Sequence, residues 1–176
     1  MKMFITLIGI VMSLYFNTAT ATQKGIPEGI IVMDGRPAPP LKLATMDGAS
    51  FDLNNSKGHW VFVHFWASWC GPCRREMPTI QALSETMKDT SLEIVLINTA
   101  ETDDTVFNFL GIVAPDLSPL MDYNGQVTER WQPRGLPSTF LVDPSGRIQY
   151  LVLGGRNWNK TDYIEFIRSL FTSAKK

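Results

Sequence analysis

The chain has 176 residues, 44% of them apolar and 19% charged, with a formal net charge of −1 and two cysteines. That length suits one ordinary domain with a real core, and the apolar content excludes a disordered chain. The charge argues against a polybasic nucleic-acid binder, and two cysteines are too few for a disulfide scaffold. No apolar stretch reaches the roughly 18 residues that a membrane-spanning helix needs.

Residues 1–21 have the plan of a secretory signal. Lys2 gives a positive start, Phe4 to Phe16 form an apolar run broken only by Thr6, Gly9 and Ser13, and Ala19-Thr20-Ala21 is an A-x-A exit. Cleavage is expected after Ala21, and export would place the chain in the periplasm, where disulfides persist. The run is short for an uncleaved anchor, and it lacks the caps and polar face of a buried helix.

Residues 22–40, ending in Arg36-Pro37-Ala38-Pro39-Pro40, read as an extended lead-in held near polyproline II. Leu41–Ala44 and Ser50–Leu53 flank Met46-Asp47-Gly48, a hairpin signal. Trp60–Trp66 is an almost wholly apolar run, as expected for a central strand buried on both faces. From Gly71 to about Asp89 the spacing is helical, with Met77, Ile80, Leu83, Ser84 and Met87 on one side and a kink expected at Pro78. Leu92–Asn98 is a second buried strand, and Asp103–Leu110 a short helix opened by Thr102. A short helix follows Gly125, and strands at Ser138–Asp143 and Arg147–Leu153 flank the Asp143-Pro144-Ser145-Gly146 turn. Asn159–Phe171 closes the chain as an amphipathic helix with Ile164, Ile167 and Phe171 inward. Strand-helix-strand followed by a hairpin and a helix predicts an α/β sandwich with a mixed sheet in one domain over residues 41–176.

Trp69-Cys70-Gly71-Pro72-Cys73 follows a buried strand and opens a helix. A thiolate at a helix N-terminus meets unpaired backbone N–H groups and the positive end of the dipole, which favour the charged form. Cys70 is therefore expected to be exposed and to attack a disulfide, with Cys73, one turn inside, shielded and resolving the mixed disulfide. Gly71-Pro72 suits a tight helix entry, because proline has no N–H to lose in the first turn. Arg74 and Arg75 oppose the dipole but raise the positive potential around a thiolate. A structural disulfide would remove little entropy from so short a loop. Zinc would need two more ligands, and His59 and His64, both upstream, are the only histidines. Haem attachment needs histidine where Arg74 stands. Dithiol-disulfide exchange is the favoured chemistry.

The stretch Phe65-Trp66-Ala67-Ser68-Trp69-Cys70-Gly71-Pro72-Cys73-Arg74-Arg75-Glu76-Met77-Pro78 resembles the thioredoxin superfamily, and most closely the exported TlpA/ResA-like thiol-disulfide oxidoreductases. The likeness extends to the N-terminal Gly-x-x-Ala-Pro segment and to Gly135-Leu136-Pro137-Ser138-Thr139-Phe140. It implies a thioredoxin-like fold: a central mixed β-sheet flanked by helices, with an N-terminal β-hairpin and a strand-helix insert within Thr99–Gly125. Pro137 matches the family's cis-proline beside the active disulfide, whose preceding backbone pairs with substrate. Trp69, Gly71, Pro72, Leu136 and Pro137 are accordingly the expected substrate-binding residues.

Glu76 lies three residues after Cys73, so on a helix the two share a face. The resemblance implies a partly buried glutamate that moves protons for the buried cysteine, as general acid-base work requires. The competing reading is an exposed, idle glutamate in the early helix. His64 departs from the family, which carries an acidic residue or asparagine at the matching strand position. It is read either as a proton relay hydrogen-bonded to Glu76 or as a satisfied core histidine. Trp66 is expected in the core, and Gly154 and Gly155 leave room for a partner chain or simply end a strand.

The resulting expectation is a monomeric periplasmic disulfide reductase with no bound cofactor and no metal. It would act on disulfide-containing exported proteins and draw electrons from another thiol protein, because no third cysteine can re-reduce the pair; the resemblance implies a membrane thiol-transferring reductase in that role. A cytochrome c maturation reductase is the alternative within the same chemistry. Two rivals differ in kind: a copper-handling protein using Cys70 and Cys73 as soft ligands, and a non-catalytic binding module. A peroxidase is disfavoured, since Ala67 stands where the peroxidase threonine would be.

Overall fold

A computed structural model describes residues 25–172, and the predicted secretory signal lies outside them. In chain order the elements are β1 (Ile30–Val32), β2 (Lys42–Ala44), β3 (Ser50–Asp52), β4 (Val61–Trp66), α1 (Gly71–Thr86), β5 (Glu93–Thr99) and α2 (Asp103–Val113). They continue with β6 (Leu120–Asp122), α3 (Gln126–Trp131), β7 (Ser138–Val142), β8 (Ile148–Leu153) and α4 (Thr161–Thr172).

Six strands form one sheet in the order β1-β8-β7-β4-β5-β6, while β2 and β3 pair separately as the expected hairpin. β4 runs parallel to β5 and antiparallel to β7, so the sheet is mixed. The parallel pair needs a crossover, and α1 supplies it. Every residue of β4 is buried, because both faces of the sheet are covered.

Alternation along β4 sorts its side chains. Phe62, His64 and Trp66 share the face covered by α1, α2 and α4, where Met77, Ile80, Leu83, Phe109 and Ile167 pack. Val61, Val63 and Phe65 share the opposite face with Leu41, Leu53, Val127 and Trp131, under the hairpin and α3. Each large apolar side chain buried this way contributes about 1.5–3 kcal/mol. The chemistry-bearing helix thus sits on the His64 face.

Four elements differ from the sequence expectation. Within the lead-in, Ile30–Val32 is a sheet strand that pairs antiparallel with β8, and Pro37 bridges Arg147. Short, proline-flanked and exposed on its outer side, that strand has no alternation to announce it. The buried face of α4 is Tyr163, Phe166, Ile167 and Leu170, so Ile164 and Phe171 only flank it. The Tyr163 hydroxyl fixes this rotation by donating to the Glu28 carbonyl at 2.9 Å. The first helix is continuous across Pro78 but ends at Thr86, short of the expected Asp89, and Asp103–Val113 is a turn longer than expected. The insert between Thr99 and Gly125 supplies α2 and the edge strand β6.

The β7–β8 turn is fixed by Asp143. Its Oδ1 accepts from the Ser145 N–H at 2.8 Å, the Ser145 hydroxyl at 2.6 Å and the Arg147 N–H at 3.0 Å. Its Oδ2 accepts from the Gln149 amide at 2.6 Å. Among the described residues no helix is long and apolar enough to cross a membrane.

Candidate active site

The chain leaves β4 at Trp66, turns where the Cys70 N–H donates to the Ala67 carbonyl at 3.2 Å, and enters α1 with Cys70 as its N-cap. Extended backbone at Cys70 (φ −79°, ψ 108°) aims its sulfur back at the helix, where Sγ accepts from the Cys73 N–H at 3.3 Å. Pro72 fits because first-turn N–H groups have no intrahelical acceptor. Cys70 and Cys73 are joined in a disulfide, with Cα atoms 5.2 Å apart.

Cys73 is wholly buried, as expected. Cys70 is the less covered of the two, at 5% against 0%, but it is not exposed. The disulfide holds it against the shielded Cys73. Solvent instead meets its neighbours Trp69 (69% exposed), Gly71 and Pro72.

Glu76 is 2% exposed, which excludes the idle surface reading. Its Oε2 accepts from the Arg156 N–H at 3.0 Å and the Trp158 indole N–H at 3.2 Å. Its Oε1 lies 3.2 Å from His64 Nε2, yet the angle falls short of a hydrogen bond, and both atoms are otherwise without a partner. His64 is completely buried, and its Nδ1 lies 2.8 Å from Thr139 Oγ1. The pairing follows from register: His64 and Thr139 stand directly opposite on β4 and β7, where side chains on one face meet. Glu76 also lines a cleft of about 260 Å³ with Arg75, Thr79 and Arg156.

The same register brings the proline segment to the cysteines. Phe65 pairs with Ser138, so Pro137 precedes β7 at the end of the sheet where β4 gives way to Cys70. The Leu136–Pro137 peptide bond is cis, Leu136 is half-buried and Pro137 buried. The Gly154 N–H donates to the Pro137 carbonyl at 2.9 Å, and a Cβ on Gly155 would lie 3.1 Å from the Pro72 carbonyl oxygen. Gly155 therefore gives room to Pro72 of the same chain, not to a partner.

Sequence reasoning missed several residues. Glu101 accepts from the Ser68 N–H at 2.7 Å, from the Ser68 hydroxyl and from the Asn98 amide at 2.7 Å, anchoring the segment before Cys70. Arg74, expected to lend charge to a thiolate, donates to the Ser68 carbonyl at 3.2 Å and stacks 4.8 Å from the Phe109 ring centroid. Trp158 carries no motif, and Thr139 lies in the segment 135–140 without a role having been read for it. Only strand alternation beyond Pro137 could have placed Thr139 on the His64 face.

Residues 35–151 match the AhpC/TSA family. The chain is 31% identical to the thiol-disulfide oxidoreductase ResA of Bacillus subtilis over 159 residues, which is 90% of this chain and 86% of that protein. The chain belongs to the ResA-like thiol-disulfide oxidoreductases. Solved structures agree on the fold. A thiol:disulfide interchange protein from a Bacteroides species superposes with a TM-score of 0.68 at 26% identity, covering 82% of this chain and 94% of that one. A thioredoxin-family thiol:disulfide interchange protein from Chlorobium tepidum gives 0.65 at 25% identity, covering 78% and 98%. The thioredoxin-like fold and the oxidoreductase activity expected from the motif are both established by these matches. Within this ResA-like chain, the position three residues before Cys70 is a buried alanine, Ala67, which has no group to offer a peroxide.

Proposed function

We propose that the protein is an exported, periplasmic protein-disulfide reductase in which Cys70 is the nucleophile, Cys73 the resolving thiol and Glu76 the proton carrier. The observation that supports it best is the burial of Glu76 one helical turn beyond a buried Cys73, with Cys70 at the helix N-cap. In the reduced protein the Cys70 thiolate keeps the Cys73 N–H as a donor and attacks a substrate disulfide. One substrate sulfur joins Cys70, and the other leaves as a thiolate. Cys73 then passes its proton to Glu76 and attacks Cys70, which forms the Cys70–Cys73 disulfide and frees the second substrate thiolate. Trp69, Gly71 and Pro72 form the solvent-facing side of the substrate surface, with Leu136 and Pro137 lining its inner side.

The segment 1–21 is removed on export in this reading, and the mature thioredoxin-like domain works as a monomer. Two cysteines form one redox couple, so another thiol protein must supply the electrons, and the family resemblance points to a membrane thiol-transferring reductase. Gly71-Pro72 between the cysteines favours the reducing direction. A Cys73→Ser protein expressed in its host should accumulate mixed disulfides through Cys70 with exported proteins. Recovery of none, or a redox potential as oxidising as about −120 mV, would overturn the reductase assignment.

A further inference from the structure

The two oxygens of Glu76 are not equivalent. Oε2 is occupied by the Arg156 and Trp158 N–H donors, whereas Oε1 faces only His64 Nε2, 3.2 Å away. Both facing atoms are buried and have no other partner. The imidazole cannot turn away to find one. Nδ1 is held at 2.8 Å by Thr139 Oγ1, and the ring stacks on Phe62 with centroids 5.9 Å apart.

We propose that His64 is a positioning residue of the exchange reaction: with Glu76 it forms a buried dyad that keeps one proton between Nε2 and Oε1 and so sets the pH range over which Glu76 can take the proton of Cys73. The proposal rests on the Glu76 role given above. The dyad has two states that differ by one proton. In the state with net negative charge, Nε2–H faces the Oε1 carboxylate and the Thr139 hydroxyl donates to Nδ1. In the neutral state the pair holds one more proton, and Nδ1–H donates to Thr139 Oγ1. A threonine hydroxyl can donate or accept, so the same contact serves both.

The surroundings restrict who else can take part. β5 sets Leu96 opposite His64, β7 brings Thr139, and α1 brings Glu76 and Cys73. The segment after β8 brings Arg156, but its backbone meets Glu76 while its guanidinium donates to the Gly155 carbonyl at 2.9 Å. A neutral imidazole N–H is thus the donor in reach of Oε1.

The test is single-turnover release of thionitrobenzoate from a mixed disulfide on Cys70 of the full chain, followed by absorbance from pH 4 to 9. Attack of Cys73 on Cys70 forms the internal disulfide and releases the chromophore. His64→Phe keeps the ring's bulk and removes the donor, and it should move the rise in rate upward by about one pH unit. His64→Gln returns an N–H to the site and should recover most of the rate at neutral pH. In a Glu76→Gln background, His64→Phe should have no further effect. If His64→Phe superimposes on the parent while Glu76→Gln differs, the dyad is overturned and the Glu76 role stands. If both superimpose on the parent, both fall. Should His64→Phe fail to fold, ¹⁵N NMR of the unaltered protein decides. The His64 ring nitrogens should titrate over the interval in which release turns on, and a ring unchanged across that interval overturns the proposal.

Discussion

Two acidic side chains of this molecule accept several hydrogen bonds each and yet, in the proposed mechanism, do opposite things. Asp143, at the β7–β8 turn, takes donors on both oxygens, from Ser145, Arg147 and Gln149. Burial pushes its carboxyl up, but these donors outweigh that and hold it below the usual carboxylate range. Glu76 takes donors on Oε2 alone and leaves Oε1 bare, facing a histidine Nε2 that is equally without a partner. The count of hydrogen bonds does not separate an anchor from a proton carrier. What separates them is whether one oxygen is left without a donor.

The largest expected effect lies at the cysteines. Cys70→Ser should reduce insulin-disulfide turnover to the uncatalysed background, and residual turnover above it would move the nucleophile elsewhere. Next comes Glu76→Gln, which should slow Cys73-dependent resolution at neutral pH by about 100-fold. Its melting temperature should change little, because the amide oxygen can still accept from Arg156 and Trp158. A large loss of stability with unchanged resolution would make Glu76 an anchor like Asp143.

Asp143→Asn should show the converse. It should cost about 1–3 kcal/mol in denaturant unfolding at pH 7, with turnover unaffected. The sign with pH follows from the lowered carboxyl. The stabilisation is present above the ordinary aspartate value of about 4 and is lost as pH falls through the lower folded value. The parent's stability should therefore drop on acidification more steeply than that of Asp143→Asn, and parallel acid limbs would contradict this. The smallest effect is expected at Gly155. Its Cβ would press on the Pro72 carbonyl, so Gly155→Ala should reduce turnover a few-fold with little change in unfolding. Unchanged turnover would show that the Pro72 loop yields freely.

The sequence was most legible where one local rule sufficed. The apolar run of β4, the Asp-Gly and Asp-Pro-Ser-Gly turns and the strand-to-helix placement of Cys70 all appear in the structure as read. β1 was hidden because a three-residue edge strand beside prolines is defined by its partner β8 and not by its own pattern. The inward face of α4 was misjudged because Tyr163 counts as polar until its hydroxyl finds the Glu28 carbonyl. At the site, Cys70, Cys73 and Glu76 were legible from spacing along one helix. Thr139, Trp158 and Glu101 were not, since each reaches the site from a distant segment. His64 lies between these cases: pairing with Glu76 was one of two readings of the sequence, and the fold sets the two side chains 3.2 Å apart.

The central claim is the division of labour between the two sulfurs, with Glu76 serving only the inner one. It is tested most directly by the rate at which each thiol of the fully reduced protein is alkylated across pH, assigned by peptide mass, in the parent and in Glu76→Gln. The account predicts that Cys70 reacts first at every pH and that the substitution alters the pH dependence of Cys73 alone. Preferential labelling of Cys73, or a Cys73 profile indifferent to Glu76→Gln, would contradict it.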